Sequence, residues 1–180
     1  IEHAKEHNVE VPSIPGIFLK PPSSVIGPED AVVLPPQSQK VEHEADLAIV
    51  IGKTGRWIAP EDVNAHILGY TIANDVTARD LQRLDGQWTR SKSFDTFCHL
   101  GHRIVKNIDP TNLAIATRVN GITKQNSNTN QMIFNAFKLV SFISVIMTLM
   151  PGDVISTGTP PGVGELRIGD VVEVEIEGIG

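Results

Sequence analysis

Apolar residues in this chain fall mostly into short Ile- and Val-rich runs bounded by Gly, Pro, Asn or Asp, the pattern of strands rather than helices. The runs predict strands over 41–51, 69–74, 113–120, 153–157 and 171–176. The last alternates, with Val172, Val174 and Ile176 against Glu173, Glu175 and Glu177, so one face should meet water. Helical patterns are fewer: one over 1–8, one following Thr77, and the longest over 134–149, stopped by Pro151-Gly152. Prolines crowd 12–36 and predict an extended lead-in. Strand and helix do not alternate, which disfavours a doubly wound parallel sheet. The expected class is α+β, mostly β, with mixed, largely antiparallel sheets and a few packed helices.

Length and charge narrow this further. The chain has 180 residues, enough for one domain over 1–180 with a real core. Its 15 basic and 21 acidic side chains give a net charge of −6 without a basic block, so phosphate-driven nucleic-acid binding is not expected. The apolar stretch 134–150 is interrupted by Asn135, Lys138, Ser141 and Ser144, which predicts a buried helix and no membrane span. The single cysteine, Cys98, excludes an internal disulfide and a cysteine-clustered metal site, and suggests a reducing compartment. Because the chain opens at Ile1 inside a helical pattern, with no initiator Met, further residues are expected upstream.

Three polar clusters interrupt the apolar runs. In Glu42-His43-Glu44-Ala45-Asp46, strand geometry points Glu44 and Asp46 to one face beside a hydrophobic continuation. Two such carboxylates near a core repel unless a proton or cation intervenes. On spacing alone, a solvent-exposed edge with Glu42 as a third charge reads equally well. The segment 69–80 reads as a strand ending in Asn74-Asp75 before a helix, where Asp75 or Thr77 could simply be an N-cap. Lys92 lies in a polar loop with aromatic neighbours and, taken alone, would be a surface lysine.

Taken in order, the clusters resemble the fumarylacetoacetate hydrolase family over essentially the whole chain. The matching segments are His43-Glu44-Ala45-Asp46-Leu47, the run Tyr70 to Asp80, Lys92-Ser93-Phe94-Asp95-Thr96-Phe97-Cys98, Asn126 to Phe134, and Pro151 to Gly164 with its Thr157-Gly158-Thr159-Pro160-Pro161-Gly162 core. Each is short; five in sequence order are specific. The chain is most similar to single-domain members described as acylpyruvases, oxaloacetate decarboxylases or tautomerases, and dienedioate isomerases. The resemblance implies the mixed β-roll or barrel of that family's C-terminal domain.

It also implies a divalent cation, Mg²⁺ with Mn²⁺ or Ca²⁺ possible, held by Glu44, Asp46 and Asp75. Hard oxygen donors suit that ion, and the lack of a Cys or His cluster argues against structural zinc. Three carboxylates around a dication leave −1, which Arg79 and Lys92 can reverse to attract an anionic keto acid. Lys92 matches the family's active-site lysine, and Lys20, Arg79, Gln82 and Thr159 resemble its substrate-contacting positions. Asp46 departs from the pattern, standing where relatives usually carry glutamate; its shorter arm is expected to hold the ion through a water or loosely. The segment 1–10 resembles the family's lid, with His3 and Glu6 as a general-base pair at i and i+3. Without the family context it would read as an exposed helix.

The resemblance implies chemistry on a small β-dicarbonyl or 2-oxo acid through an enolate stabilised by the cation. Carbon–carbon hydrolysis or decarboxylation comes first, with keto–enol tautomerisation or dienedioate isomerisation as the alternative and a catalytically silent binding protein as the remote rival. The family also implies a homodimer, and a cytoplasmic location, or a mitochondrial one in a eukaryote.

Overall fold

The structure is a computed structural model and describes residues 12–180. It is mostly strands with few helices, as expected. The strands are β1 (Val25–Ile26), β2 (Val41–His43), β3 (Ala45–Ile51), β4 (Ile67–Asp75), β5 (Thr77–Ala78), β6 (Cys98–Leu100), β7 (Ala114–Val119), β8 (Ile122–Asn128), β9 (Val154–Ser156), β10 (Gly164–Glu165) and β11 (Val172–Ile176). The α-helices among the described residues are α1 (Arg79–Asp85), α2 (Thr89–Lys92) and α3 (Ala136–Ile146). The predicted helix over 1–8 lies outside the described residues.

Three sheets form, in the orders β1-β6-β4-β3-β9, β10-β2-β5 and β11-β7-β8. All pairings are antiparallel except β1 with β6. Every residue of β3 is buried, which explains its unbroken apolar run from Leu47 to Ile51. The predicted strand 41–51 is in fact two strands. Residues 45–51 pair with β4 in the large sheet, while Val41 and Glu42 pair with Ala78 and Thr77 in the small one. Two antiparallel segments thus step together from one sheet to the other, at Glu44 and Val76.

Backbone groups at the step stay satisfied. The Asp75 N–H donates to the Glu44 carbonyl at 2.8 Å, and the Glu44 N–H donates to Asn74 Oδ1 at 2.9 Å. Residues beyond the step feed the main core, including Leu47, Ile49, Ile51, Ile72, Ile115, Val140 and Ile176. Those on the other side feed a smaller cluster of Val41, Val76, Ala78, Leu81 and Phe97. The carboxylates sit where the two meet.

Helix α3 ends earlier than the sequence pattern predicts, because Met147 turns extended (φ −140°, ψ 152°). The serines that interrupt its apolar run dock it: Ser144 Oγ accepts from the Ile58 N–H at 2.9 Å, and Ser141 Oγ donates to the Ile58 carbonyl at 2.7 Å. Among the described residues no helix is long and apolar enough to cross a membrane. Strand β8 escapes sequence reading because its residues, Ile-Thr-Lys-Gln-Asn-Ser-Asn, carry no apolar alternation; only Gln125 is buried.

Candidate active site

The step in the sheets gathers an alternating array of charges. Glu44 accepts from Lys92 Nζ at 2.8 Å through Oε2 and from the Arg79 guanidinium through Oε1. Asp75 accepts from two ammonium groups, Lys92 Nζ at 2.6 Å on Oδ2 and Lys20 Nζ at 2.6 Å on Oδ1. Arg79 continues the array, donating to Glu42 at 2.7 Å through Nε and to Gln82 through Nη1, and Lys40 closes it on Glu42 at 3.1 Å. Lys92 is only 2% exposed, so the surface reading of that lysine fails. The exposed-edge reading of Glu42, Glu44 and Asp46 fails for the same reason: all three are buried. The N-cap reading fails too, since α1 starts after Ala78 with no side-chain cap.

Burial alone would neutralise these groups, and their neighbours decide the outcome. Burial pushes the Glu44 carboxyl up, but the charges of Lys92 and Arg79 outweigh it and hold it at about 2. Burial likewise works to depress the Lys92 ammonium, and Glu44 and Asp75 reverse that and raise it. A buried array like this is a poor source of stability, because desolvation offsets the Coulombic gain. Its concentration at one point is better understood as chemistry.

Asp46 is the exception. Its Oδ2 accepts from the Ser156 hydroxyl and from the Gly158 N–H at 3.2 Å. Its Oδ1 is buried and, among the described residues, accepts no hydrogen bond. Burial first, and then the charge of Asp75, push the Asp46 carboxyl up to about 8. A buried carboxylate oxygen with nothing donated to it is a place for a proton or a cation.

That orphaned oxygen, with the hard carboxylates of Glu44 and Asp75 beside it, fits a divalent cation. The fit is conditional. Glu44 and Asp75 oxygens are turned onto ammonium and guanidinium groups, and among the described residues no three His, Cys, Asp or Glu side chains already converge as a metal cage. For all three to ligate an ion, Lys92 or Arg79 would have to release Glu44, and Lys20 or Lys92 would have to release Asp75.

The 157–164 loop meets the carboxylate strand through Thr159, whose hydroxyl donates to the Ala45 carbonyl at 2.9 Å. Lys20, Glu44, Asp46, Asp75, Arg79, Gln82, Lys92 and Thr159 are therefore assembled around one step, whereas His3 and Glu6 lie outside the described residues. Phe18 covers the array, its ring centroid 4.8 Å from Lys92 Nζ, and Trp88 packs edge-on to Phe18 at 5.5 Å. Sequence reasoning missed Ser156 and the Gly158 N–H on Asp46, Glu42 on Arg79, and Gln125 on Ala45 and Thr159. A cavity of about 620 Å³ bordered by Asp85, Gln87, Thr89, Arg90, Ser93 and Phe94 lies beside α2 and includes none of Glu44, Asp46 and Asp75.

Comparison with known proteins places the chain in a family. An uncharacterized protein of Methanocaldococcus jannaschii is 63% identical over 180 residues, covering all of this chain and 76% of its own. The human mitochondrial oxaloacetate tautomerase FAHD2B is 52% identical; this chain is covered completely and spans 61% of that protein's length. The crystal structure of 5-carboxymethyl-2-hydroxymuconate delta-isomerase from Mycobacterium smegmatis superposes with a TM-score of 0.94 at 48% identity, covering all of this chain and 72% of that one. The fumarylacetoacetate (FAA) hydrolase C-terminal family matches residues 1–180, and the chain belongs to that family.

Proposed function

We propose that the chain catalyses proton transfer on a small 2-oxo acid, interconverting keto and enol or positional double-bond forms, with Mg²⁺ as its cofactor. The observation that carries this reading is the convergence of Glu44, Asp46 and Asp75 with Lys20, Lys92 and Arg79 at one buried step. The names of the human and mycobacterial relatives, a tautomerase and an isomerase, support proton transfer over bond cleavage. Glu44, Asp46 and Asp75 would hold the cation, which when bound supplies Lewis-acid polarisation of the 2-oxo group.

The chain's own residues do the rest. Lys92 stays protonated because Glu44 and Asp75 face it, so its ammonium can stabilise negative charge growing on the substrate oxygen. Lys20 and Arg79 add the positive potential that draws an anionic acid into a cluster of carboxylates. Thr159 ties its loop to the Ala45 carbonyl, between Glu44 and Asp46. His3 and Glu6 remain the proposed base pair on family grounds.

The test is to chelate the full protein, restore Mg²⁺ or Mn²⁺, and follow enol absorbance of oxaloacetate, 2-hydroxydienedioates and acylpyruvates. Enol–keto exchange should be fast with metal, fall to the uncatalysed rate with EDTA, and have its catalysed part at least about 10²-fold slower in Lys92→Met. Cleavage of acylpyruvates without faster enol exchange would replace the reading with hydrolysis, and full turnover in chelated protein would remove the metal from it.

A further inference from the structure

We propose that Gln125, which no sequence signal singled out, is the positioning residue of this site, locking the carboxylate strand and the 157–164 loop to one another. Its side chain is fully buried and every polar atom is used. Oε1 accepts from the Ala45 N–H at 3.2 Å, from the Thr117 hydroxyl at 2.8 Å and from His43 Nδ1 at 3.1 Å. Nε2 donates to Thr159 Oγ1 at 2.8 Å and to the Pro160 carbonyl at 2.8 Å.

The orientation of the amide is fixed by chemistry. Ala45 N–H can only donate and the Pro160 carbonyl can only accept, so oxygen faces the strand and nitrogen faces the loop. Thr159 then has one consistent role: its oxygen accepts from Gln125 and its proton goes to the Ala45 carbonyl. Ala45 lies between Glu44 and Asp46. A single carboxamide therefore grips both backbone polar groups of that residue, its N–H directly and its carbonyl through Thr159.

The same logic sets His43. Facing a carbonyl oxygen, Nδ1 must carry the proton, and Nε2 is left buried beside Gly164 with no hydrogen-bond partner among the described residues. A Cβ at Gly164 would stand 3.2 Å from that nitrogen, so the loop closes on the imidazole with little room to spare. His43, Thr159 and Ala45 thus answer to one side chain that hydrogen-bonds none of Glu44, Asp46 and Asp75. Partners of this kind typically change affinity or activity 10–100-fold when removed.

The kinetic arm of the test rests on the proposed function; the spectroscopic arm does not. Gln125→Met keeps length and loses all five hydrogen bonds, while Gln125→Glu keeps an oxygen for the strand and loses the amide donors to the loop. Imidazole ¹⁵N spectra of full-length wild type should show His43 as the Nδ1–H tautomer, with that signature lost in Gln125→Met. Amide exchange at Gly158 to Gly164 should quicken in both variants.

With a turned-over 2-oxo acid, Gln125→Glu should raise KM about ten-fold or more with a smaller change in kcat. Thr159→Val should give a similar rise, and the double variant no more than either alone. Unchanged tautomer and exchange overturn the proposal, and so does a fall in Tm with KM unaltered, or fully additive effects of Gln125 and Thr159. If wild type turns over no 2-oxo acid, the functional reading fails, while the tautomer and exchange results still decide the role of Gln125.

Discussion

Asp46 is ill-placed for stability. Its folded carboxyl titrates near 8 against an ordinary 3.8, raised by burial and by Asp75. The folded state therefore binds that proton more tightly than the unfolded chain, and the contribution to stability is lost as pH rises from about 4 to about 8. Glu44 behaves oppositely. Held at about 2, below its ordinary 4.5, it contributes fully above 4.5 and loses that contribution as pH falls towards 2. Chelated protein should accordingly be most stable near the overlap of the two windows, in mildly acidic buffer. Asp46→Asn removes the falling limb, so its stability gain should grow by at least about 1 kcal/mol between pH 4 and pH 8 in urea titrations with EDTA present. Catalysis should be lost in the same variant. A gain independent of pH would mean that Asp46 is ionised and satisfied in the folded protein.

Among the elements, the 157–164 loop is tuned to the strand beside it. Gly162 has φ of +95°, and a Cβ there would lie 2.2 Å from the Lys124 carbonyl, in the strand that carries Gln125. Gly162→Ala must push the loop off β8, and with it Thr159 and the Pro160 carbonyl. The expected cost is roughly 1–3 kcal/mol from the left-handed backbone alone, with KM rising as it does for Gln125→Glu. A Tm and KM within error of wild type would show that the loop is free of β8. The glycine-rich pattern of this loop was legible in the sequence, but its partner was not. Strand β8 is polar and mostly exposed, so period-two reasoning has nothing to register there. The elements that could be read were those with one apolar face, β7, β11 and α3, runs buried on both faces, β3 and β4, and the shorter β9 and α1. The split of 41–51 into β2 and β3 was hidden because His43 and Glu44 continue the extended backbone while the pairing partner changes.

Across the molecule, the site is built from segments that local pattern cannot join. Lys20 meets Asp75 across 55 residues, Lys92 meets Glu44 across 48, and Ser156 meets Asp46 across 110. Family motifs supplied the residues; only the fold supplies their order, in which Lys20 and a cation would compete for Asp75. That competition has a measurable sign. Lys20→Met removes one ammonium from Asp75 Oδ1, leaving a buried acceptor unpaired, so chelated protein should lose about 1–3 kcal/mol. The same change removes repulsion against a dication, and Mg²⁺ should bind about ten-fold tighter, equivalent to about 1.4 kcal/mol. Mass action then makes the stabilisation by a fixed Mg²⁺ concentration larger in Lys20→Met than in wild type. Scanning calorimetry with and without Mg²⁺ reads this directly, as a wider gap in Tm for the variant. The anionic substrate should respond in the opposite direction, its KM rising for want of the lysine. An equal or smaller Mg²⁺ shift in Lys20→Met would show that the cation does not contend with Lys20, and would separate Asp75 from the metal site while leaving its pairing with Lys92 intact.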